Sequence, residues 1–556
     1  MIYIENEAGT GANGASGKGA DAEFVARAYR LFSEFYEGTR RYRERCAENE
    51  EFWKGNHWHN AGKSGPGDPQ PVTPVIFSTI ESMMSDIMDK YPQAIIRAQR
   101  PEDDEAAADI SAALEQIMEQ RNYRKLYRDK CRQALIKGAS VVEVYWDAEA
   151  KGSLGEVGFR AVDIKRFLWD TSCSEFQEGR GCFKFGFYTR EWIEQRYPGK
   201  AKDIKRGWYV DSGDRLKYDI GGEGDAYADG ELILVAEYWY KKQAGVHMAR
   251  IAGDTLLYSS EQERSQGMYE HGLYPFVIEP LFRFEGEPVG FGMVDVFKPL
   301  QQHSDRLDQI LMRNALASGR MKMFVSRASG IDEEALKNWE NEMVYGNRVS
   351  DDAIRWIQPQ PLPSYLYTYM TGKLELIKSE SGQGEFIRGE AAKGVTAASA
   401  IMALQESGLK RSRMIIEQLQ DGHIEIVRMA LEVMCENYKE TRMFRRTEGG
   451  VASVDSGRLS YAGDSANRMM DWDIKISVQP HNPFSVLQHN ELMLQSMNIG
   501  ALTPVQALEL MIFDGKDRVL ERARQNERES ILRSAQQEQA APATAGPVME
   551  AADEGR

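Results

Sequence analysis

Gly290-Phe-Gly-Met-Val-Asp-Val-Phe-Lys-Pro-Leu-Gln-Gln-His-Ser-Asp-Arg-Leu-Asp308 opens the stretch, Gly290 to Tyr438, around which the rest of the chain is arranged. Within Met293–Ser318 the residues Val296, Leu300, His303, Leu307, Ile310, Leu311 and Leu316 recur at intervals of three and four, which predicts a helix closed by Gly319. Met321–Val325 has strand composition, Glu333–Tyr345 reads as helix, and Ala353–Ile357 is a second strand before Pro359, Pro361 and Pro363 break the pattern. A small α/β insert therefore separates two helices. The chain re-enters a helix over Tyr365–Ser381, crosses the loop Gly382–Gly394, and enters a helix over Thr396–Arg442. At 1.5 Å per residue that last helix is roughly 70 Å long, more than a typical globular domain needs.

Outward from this stretch the pattern is α+β. Gly9–Gly19 is Gly/Ala/Ser-rich and reads as disordered. A helix with Asp21 as cap carries Phe24, Ala28, Leu31, Phe32, Phe35 and Tyr42. After a Gly/Pro-rich loop at Gly62–Pro74, Val75–Lys90 is amphipathic and Tyr91-Pro92 stops it. A short strand at Ile95–Ala98, helices from Glu102 and Tyr123, and the strand Ser140–Trp146 lead into a β-rich region with strands at Gly158–Val162, Phe183–Tyr188, Ile233–Tyr240, Val246–Ile251, Thr255–Ser259 and Pro275–Arg283. Asp211–Gly230 reads as a surface loop. Trp472–Val478 is one more strand. Thr503-Pro504 caps a helix over Val505–Phe513, Lys516–Gln539 is a charged helix, and Ala540–Arg556 reads as a disordered tail.

Composition narrows the classes. With 556 residues, 42% hydrophobic and 10% aromatic, the chain can hold three or four domains and a sizeable core. A formal charge of −16 argues against wrapping nucleic acid on a basic surface. It suits a wall past which a polyanion slides, and equally serves solubility. Cys46, Cys131, Cys173, Cys182 and Cys435 are odd in number and scattered, which predicts neither a disulfide framework nor a zinc ribbon and fits a reducing cytoplasm. The first residues lack the pattern of a signal peptide, and no apolar run reaches a membrane span.

The order helix, α/β insert, helix, Gly-rich loop with basic residues, long helix is similar to the stem, clip, second stem, tunnel loop and kinked wing helix of the tailed-bacteriophage portal proteins, the P22-like, head-to-tail connector family. Besides Gly290–Asp308, the phrase Gly394-Val-Thr-Ala-Ala-Ser-Ala-Ile-Met-Ala-Leu-Gln-Glu-Ser-Gly408 carries the likeness. Ile136–Asp147 followed by Ala161–Asp170 also resembles portal wings. Order and spacing over roughly residues 20–540 matter more than any single signature. The resemblance implies a disordered segment at 1–20, a wing at 21–290 that is β-rich over 140–284, stem helices at 291–318 and 363–381 flanking a clip at 319–362, a tunnel loop at 382–396, a long wing helix and returning strand at 397–484, a helical crown at 485–539 and a tail at 540–556.

It further implies a ring of about twelve copies at one capsid vertex, through which double-stranded DNA enters and leaves. Implied partners are the terminase large subunit, the major capsid and scaffolding proteins, and head–tail adaptors; no membrane, cofactor or metal is implied. The protein would be made in the host cytoplasm and end in the virion. Arg388 and Lys393 fall in the loop that projects into a portal tunnel, where twelve copies would form basic rings; the plainer reading is a solvated loop. Lys410, Arg411 and Arg413 extend that ring or pair with Glu406 and Glu417. Asp332, Glu333, Glu334, Glu340 and Glu342 make the clip acidic and mark the docking end for the motor, and its two strands leave edges that neighbouring copies could complete. Gly408 reads as the helix kink; for Gly422, a kink and close packing stand equally.

Catalytic patterns do not assemble. Gly384 and Gly389 have P-loop spacing, but Glu390 and Ala391 stand where Lys and Ser/Thr are required. His57 and His59 lack neighbouring metal ligands, Asp103, Asp104 and Glu105 suit a helix start, and His303 and His423 lie in apolar stripes as core or interface residues. The rival readings are a head–tail adaptor or other ring component, and a metal-dependent DNA-processing enzyme using Asp103 and Asp104.

Overall fold

The computed structural model describes residues 17–59, 68–204, 207–210, 216–219, 232–243, 245–264, 267–269, 271–319, 322–326, 330–332, 334–335, 343, 345–347, 354–357, 362–380, 410–446, 450–460, 472–478, 483–513, 515–516 and 519–526. The chain forms two compact units, Met1–Met88 with Pro92–Ser477, and Asp89–Tyr91 with Val478–Arg556. Mixed helix and antiparallel sheet make the fold α+β.

Helices α1 (Gly17–Gly38) and α2 (Arg40–Trp53) take the place of the single helix expected from Asp21. Gly17 and Gly19, expected to be disordered, lie in the first turn of α1. Val25, Ala28, Phe32 and Phe35 recur at helical spacing on α1 and share a core with Leu168, Phe183, Leu234, Tyr238 and Ile251. Phe32 meets the Phe183 ring edge-on at 5.3 Å. Helix α3 (Val75–Asp89), strand β1 (Pro92–Arg97), and helices α4 (Asp104–Gln120) and α5 (Tyr123–Lys137) follow.

Next come β2 (Ala139–Asp147), the turn-like α6 (Ala150–Ser153), β3 (Glu156–Val162), β4 (Phe167–Trp169), β5 (Cys182–Tyr188), α7 (Arg190–Arg196), β6 (Gly207–Val210), β7 (Leu216–Asp219), β8 (Ile233–Lys242), β9 (Gly245–Ala252), β10 (Thr255–Ser259), β11 (Phe276–Pro280), β12 (Phe282–Arg283) and β13 (Gly290–Phe291). The larger sheet runs β10-β9-β8-β5-β4, with β6 beside β8 and β7 beside β6; β11-β2-β3 form a second sheet. Strand β7 corrects the expected Asp211–Gly230 loop: Trp208, Tyr209, Val210, Leu216 and Tyr218 favour strand, and the two segments pair as a hairpin. Gly138 (φ +88) ends α5, and a Cβ there would lie 2.5 Å from Gly290 O. This close approach fastens the opening of the Gly290 stretch to the core.

From there the chain forms α8 (Met293–Gly319), the ribbon β14 (Lys322–Val325) and β15 (Ile354–Ile357), α9 (Tyr365–Glu380), α10 (Lys410–Asn437), β16 (Arg442–Arg445), β17 (Val451–Val454), α11 (Ser456–Leu459) and β18 (Asp473–Val478). β18 returns to pair with β1. The helix expected to run through Arg442 ends at Asn437 instead. Tyr438 Oη donates to the buried Glu156 Oε1, and Tyr438 O accepts from Ser456 N at 2.8 Å, which turns the chain. Arg442 and Phe444 then alternate inward with exposed Met443 and Arg445, a strand period that opens the β16–β17 hairpin.

The second unit holds α12 (Pro483–Asn498) and α13 (Pro504–Leu510). Thr503 caps α13 in a capping box with Gln506. That helix ends three residues before Phe513, because Ile512 leaves it to exchange two 2.8 Å hydrogen bonds with the Asn490 side chain.

Candidate functional site

Helix α8 is anchored firmly near its start and covered only in part toward its end. Near its start, Asp295 Oδ1 accepts from Asn49 Nδ2 at 2.7 Å, and Lys298 Nζ reaches Glu48 Oε2 at 2.9 Å. About two turns on from Lys298, Asp305 Oδ2 lies 2.6 Å from His57 Nδ1, while Asp305 Oδ1 accepts from Gln301 Nε2 at 2.8 Å. The His57 ring stacks on Phe52 with centroids 4.9 Å apart. His57 is thus a structural pin between α2 and α8, and His59 Nδ1 turns to Asn56 O at 2.8 Å.

Beyond Asp305 cover on α8 thins: among the described residues Leu307 and Leu311 are half-buried, and Gln309 Nε2 and Arg313 Nη2 still donate to Pro69 O at 2.9 Å and Asp68 Oδ2 at 2.5 Å. Ile310, Met312 and Leu316 are 47%, 44% and 44% exposed, and His303, expected in the core or at an interface, is also exposed and so is not a core residue of this chain. Helix α9 packs along α8. Its residues Leu366, Met370, Lys373 and Ile377 are partly or fully covered, whereas Tyr365, Tyr369, Gly372 and Leu376, each one position earlier, are exposed. One position is about 100° of helix, so α9 carries a second apolar stripe beside the covered one. Tyr365, Thr368, Tyr369, Gly372, Lys373 and Leu376 line a shallow groove of about 730 Å³ on that flank.

The ribbon joining α8 to α9 pairs Lys322 with Ile357 through Val325 with Ile354, and among the described residues neither strand has a further partner. Asp332 caps a helical turn there, accepting from Glu334 N at 3.0 Å and Ala335 N at 3.3 Å. Glu334 is exposed; Glu333, Glu340 and Glu342 lie outside the described residues. So do Arg388, Lys393 and Gly408. Lys410 and Arg411 fall in the first turn of α10, and Arg413 is exposed.

The best-built polar constellation lies where α10 crosses the β11-β2-β3 sheet, and it was not foreseen. Lys130 Nζ, wholly buried, donates to Glu279 Oε2 at 2.7 Å and to Leu419 O at 3.4 Å, and Ser140 Oγ donates to the same carboxylate oxygen at 3.2 Å. Tyr123 Oη and His423 Nδ1 are 3.0 Å apart. A Cβ at Gly422 would overlap Glu279 Cδ and Oε1, which favours the close-packing reading of that glycine over a kink; α10 runs through it unbroken. Burial raises the Glu279 pKa against the opposing pull of Lys130. Burial, aided by Lys130, holds His423 down at about 3. Helical spacing offered one signal for this site: Lys130 falls in the stripe Tyr123, Tyr127, Cys131, Ala134, an apolar face on which a lone lysine needs a partner.

A second pin joins α4 to the β16–β17 hairpin, where buried Asp109 accepts from Arg446 Nε at 2.6 Å and Arg458 Nη1 at 2.8 Å. Asp103, Asp104 and Glu105 sit at the start of α4, in the favourable half of its dipole. Among the described residues no group of His, Cys, Asp and Glu is arranged to hold a metal ion, and no helix is long and apolar enough to cross a membrane.

A β-rich body that carries a pinned but half-uncovered helical hairpin, with its polar clusters given over to joining elements, has the features of a structural subunit. The model of the phage P22-like portal proteins matches residues 29–275 and 312–554, and the chain belongs to that family. The quoted phrase Gly394–Gly408 lies inside the match, and Gly290–Asp308 lies between its two segments. A comparison with curated proteins finds no match. Family membership gives the chain a portal or connector role in the phage capsid, a structural role and not an enzymatic one.

Proposed function

We propose that this chain forms a ring of about twelve copies at a single capsid vertex and serves as the conduit for double-stranded DNA during packaging and ejection. In this reading α8 and α9 are the stem, the β14–β15 ribbon is the clip on which the terminase large subunit and later the head–tail adaptors dock, the β-rich body is the wing, and the second unit is the crown. Asp332, Glu333, Glu334, Glu340 and Glu342 would lie at the docking end. Arg388 and Lys393, extended by Lys410, Arg411 and Arg413, would line the channel with weak phosphate contacts in an otherwise acidic protein, guiding DNA without holding it.

The observation that carries the assembly is the uncovered hairpin. Met312 and Leu316, one turn apart on one helix, and Tyr365, Tyr369 and Leu376 on the other are 39–66% exposed, as is Ile310 on another flank of the first helix, and large exposed apolar side chains gathered on one hairpin are of the type that marks an interface. A repeated head-to-tail contact between such flanks builds a ring when its rotation closes on itself and a filament when it does not. Electron-microscope class averages of the purified chain, with its mass in solution, test this: rings of about twelve with a central hole support it, and a stable monomer or dimer at high concentration sinks it. The channel role has its own test. Arg388→Glu with Lys393→Glu should leave the rings intact and lower the amount of DNA packaged; normal packaging by intact mutant rings would remove those two residues from the mechanism.

A further inference from the structure

Helix α10 lies across the β11-β2-β3 sheet, and a buried ion pair meets it there at its one glycine within Lys410–Asn437. Buried ion pairs are poor contributors to stability, because desolvation offsets the attraction, and their best-attested use is to specify register. The surroundings here fit that use. Lys130 comes from α5, Glu279 from β11 and Ser140 from β2, while the Leu419 carbonyl comes from α10 itself. Among the described residues Glu279 Oε1 and His423 Nε2 are left buried without hydrogen-bond partners, a cost that optimised apolar packing would avoid.

We propose that Glu279 and Gly422 form a keyed joint: the carboxylate, held upright by Lys130 and Ser140, occupies a slot that exists only over Gly422, and so fixes α10 in a single register on the sheet. A slip of one turn in either direction would bring Gln418 or Leu419, or Glu425 or Ile426, under the carboxylate. Each of these carries a Cβ where the slot has no room. Sixteen residues further on, Tyr438 is fastened to Glu156, and Arg442 donates to Gly155 O at 2.7 Å and Leu154 O at 2.8 Å. Two anchors on one rod oppose both sliding and rotation. A push on the Lys410 end of α10 is therefore transmitted to the sheet instead of being absorbed by slip.

The test uses the full chain. Gly422→Ala alone should lower the melting midpoint, whereas the same change in a Lys130→Met/Glu279→Ala background should have little effect, since the key has been removed. Register is read by spin labels at two exposed sites, Ala161→Cys on β3 and Arg428→Cys on α10, with Cys173→Ser and dilution by unlabelled chain. The parent should give one narrow distance. In a chain whose second anchor is released by Tyr438→Phe and Arg442→Met, which with the key intact should keep the parent's distance, the keyless variant should give a broadened distribution or a second distance displaced by about 5 Å, one helical turn. An unchanged single distance in the keyless variant would overturn the joint, as would a Gly422→Ala chain as stable as the parent.

Discussion

Helices α8 and α10 have 27 and 28 residues, and both carry apolar residues every three or four positions. Their fates differ. In α10, Ile415, Ile416, Leu419, Ile426, Val427, Ala430, Leu431 and Met434 are buried within the chain. In α8, Met293, Val294 and Phe297 are buried, the next buried positions are the polar Gln301, Ser304 and Asp305, Leu307 and Leu311 are half-buried, and Ile310, Met312 and Leu316 are exposed. Past the polar stretch the body holds α8 only by polar contacts at its surface, Gln309 to Pro69 O and Arg313 to Asp68. Periodicity states that a face is to be covered; it does not state which chain covers it.

The largest expected effect separates the two helices directly. Ile426→Ala removes a wholly buried side chain from α10 and should cost about 2–5 kcal/mol in denaturant unfolding. Ile310→Ala removes a side chain that is 47% exposed and should change the unassembled chain by no more than about 0.5 kcal/mol, while lowering the fraction found in rings. An Ile310→Ala chain destabilised as much as Ile426→Ala would mean that the end of α8 is already covered within one copy, and the comparison would fail.

This contrast also measures what could be read from the sequence. Helices α8, α9 and α10 were legible because helices of this length give many periods, while the expected loop Gly382–Gly394 and the 396–409 part of the long helix lie outside the described residues. The strands at Ile233–Lys242 and Thr255–Ser259 were legible because β-branched and aromatic residues cluster there. Phe167–Trp169 and Gly290–Phe291 were missed as strands, since two or three residues carry no period. Arg442 was read as helical because nothing local marks the turn; that turn is set by Tyr438 reaching Glu156, 282 residues away in the chain. Lys130 on its apolar stripe signalled that a partner was needed, but Glu279 lies 149 residues away and nothing local named it. Arg388 and Lys393 owe their place among the candidates to resemblance, not to any pattern of their own.

A smaller effect should appear in the pH dependence of α10. His423 is held at about 3, against about 6.5 for a histidine in an unfolded chain. As pH falls, the unfolded chain takes up this proton first. The contribution of neutral, buried His423 is thus whole above pH about 6.5 and is lost as pH falls through the window from about 6.5 to about 3, with a slope of about 1.4 kcal/mol per pH unit. Glu279 beside it, raised by burial, changes stability in the opposite sense. The difference between the parent and His423→Leu isolates the imidazole: the variant should lose stability less steeply between pH 6 and pH 4.5. Parallel curves would show that His423 is not held neutral, and would weaken the account of α10 as a helix sealed within its own chain.

The gentlest probe is chemical, because it leaves both helices in place. Cys435 on α10 is buried, and burial with Glu432 and Glu436 nearby pushes its thiol up to about 12. Only the thiolate attacks a disulfide reagent, so at pH 8 this residue should label slowly, as should buried Cys46 and Cys131, which burial also pushes up to about 12. Leu316→Cys places a thiol near the end of α8, at a position 44% exposed, and should cost no more than about 0.5 kcal/mol in the unassembled chain. That thiol should label rapidly in the dispersed chain and slowly in rings, while Cys435 labels slowly in both. Protection of Leu316→Cys before assembly would assign the cover of α8 to its own chain; rapid labelling within well-formed rings would turn this flank away from the interface and leave the Tyr365–Leu376 flank of α9 to carry it.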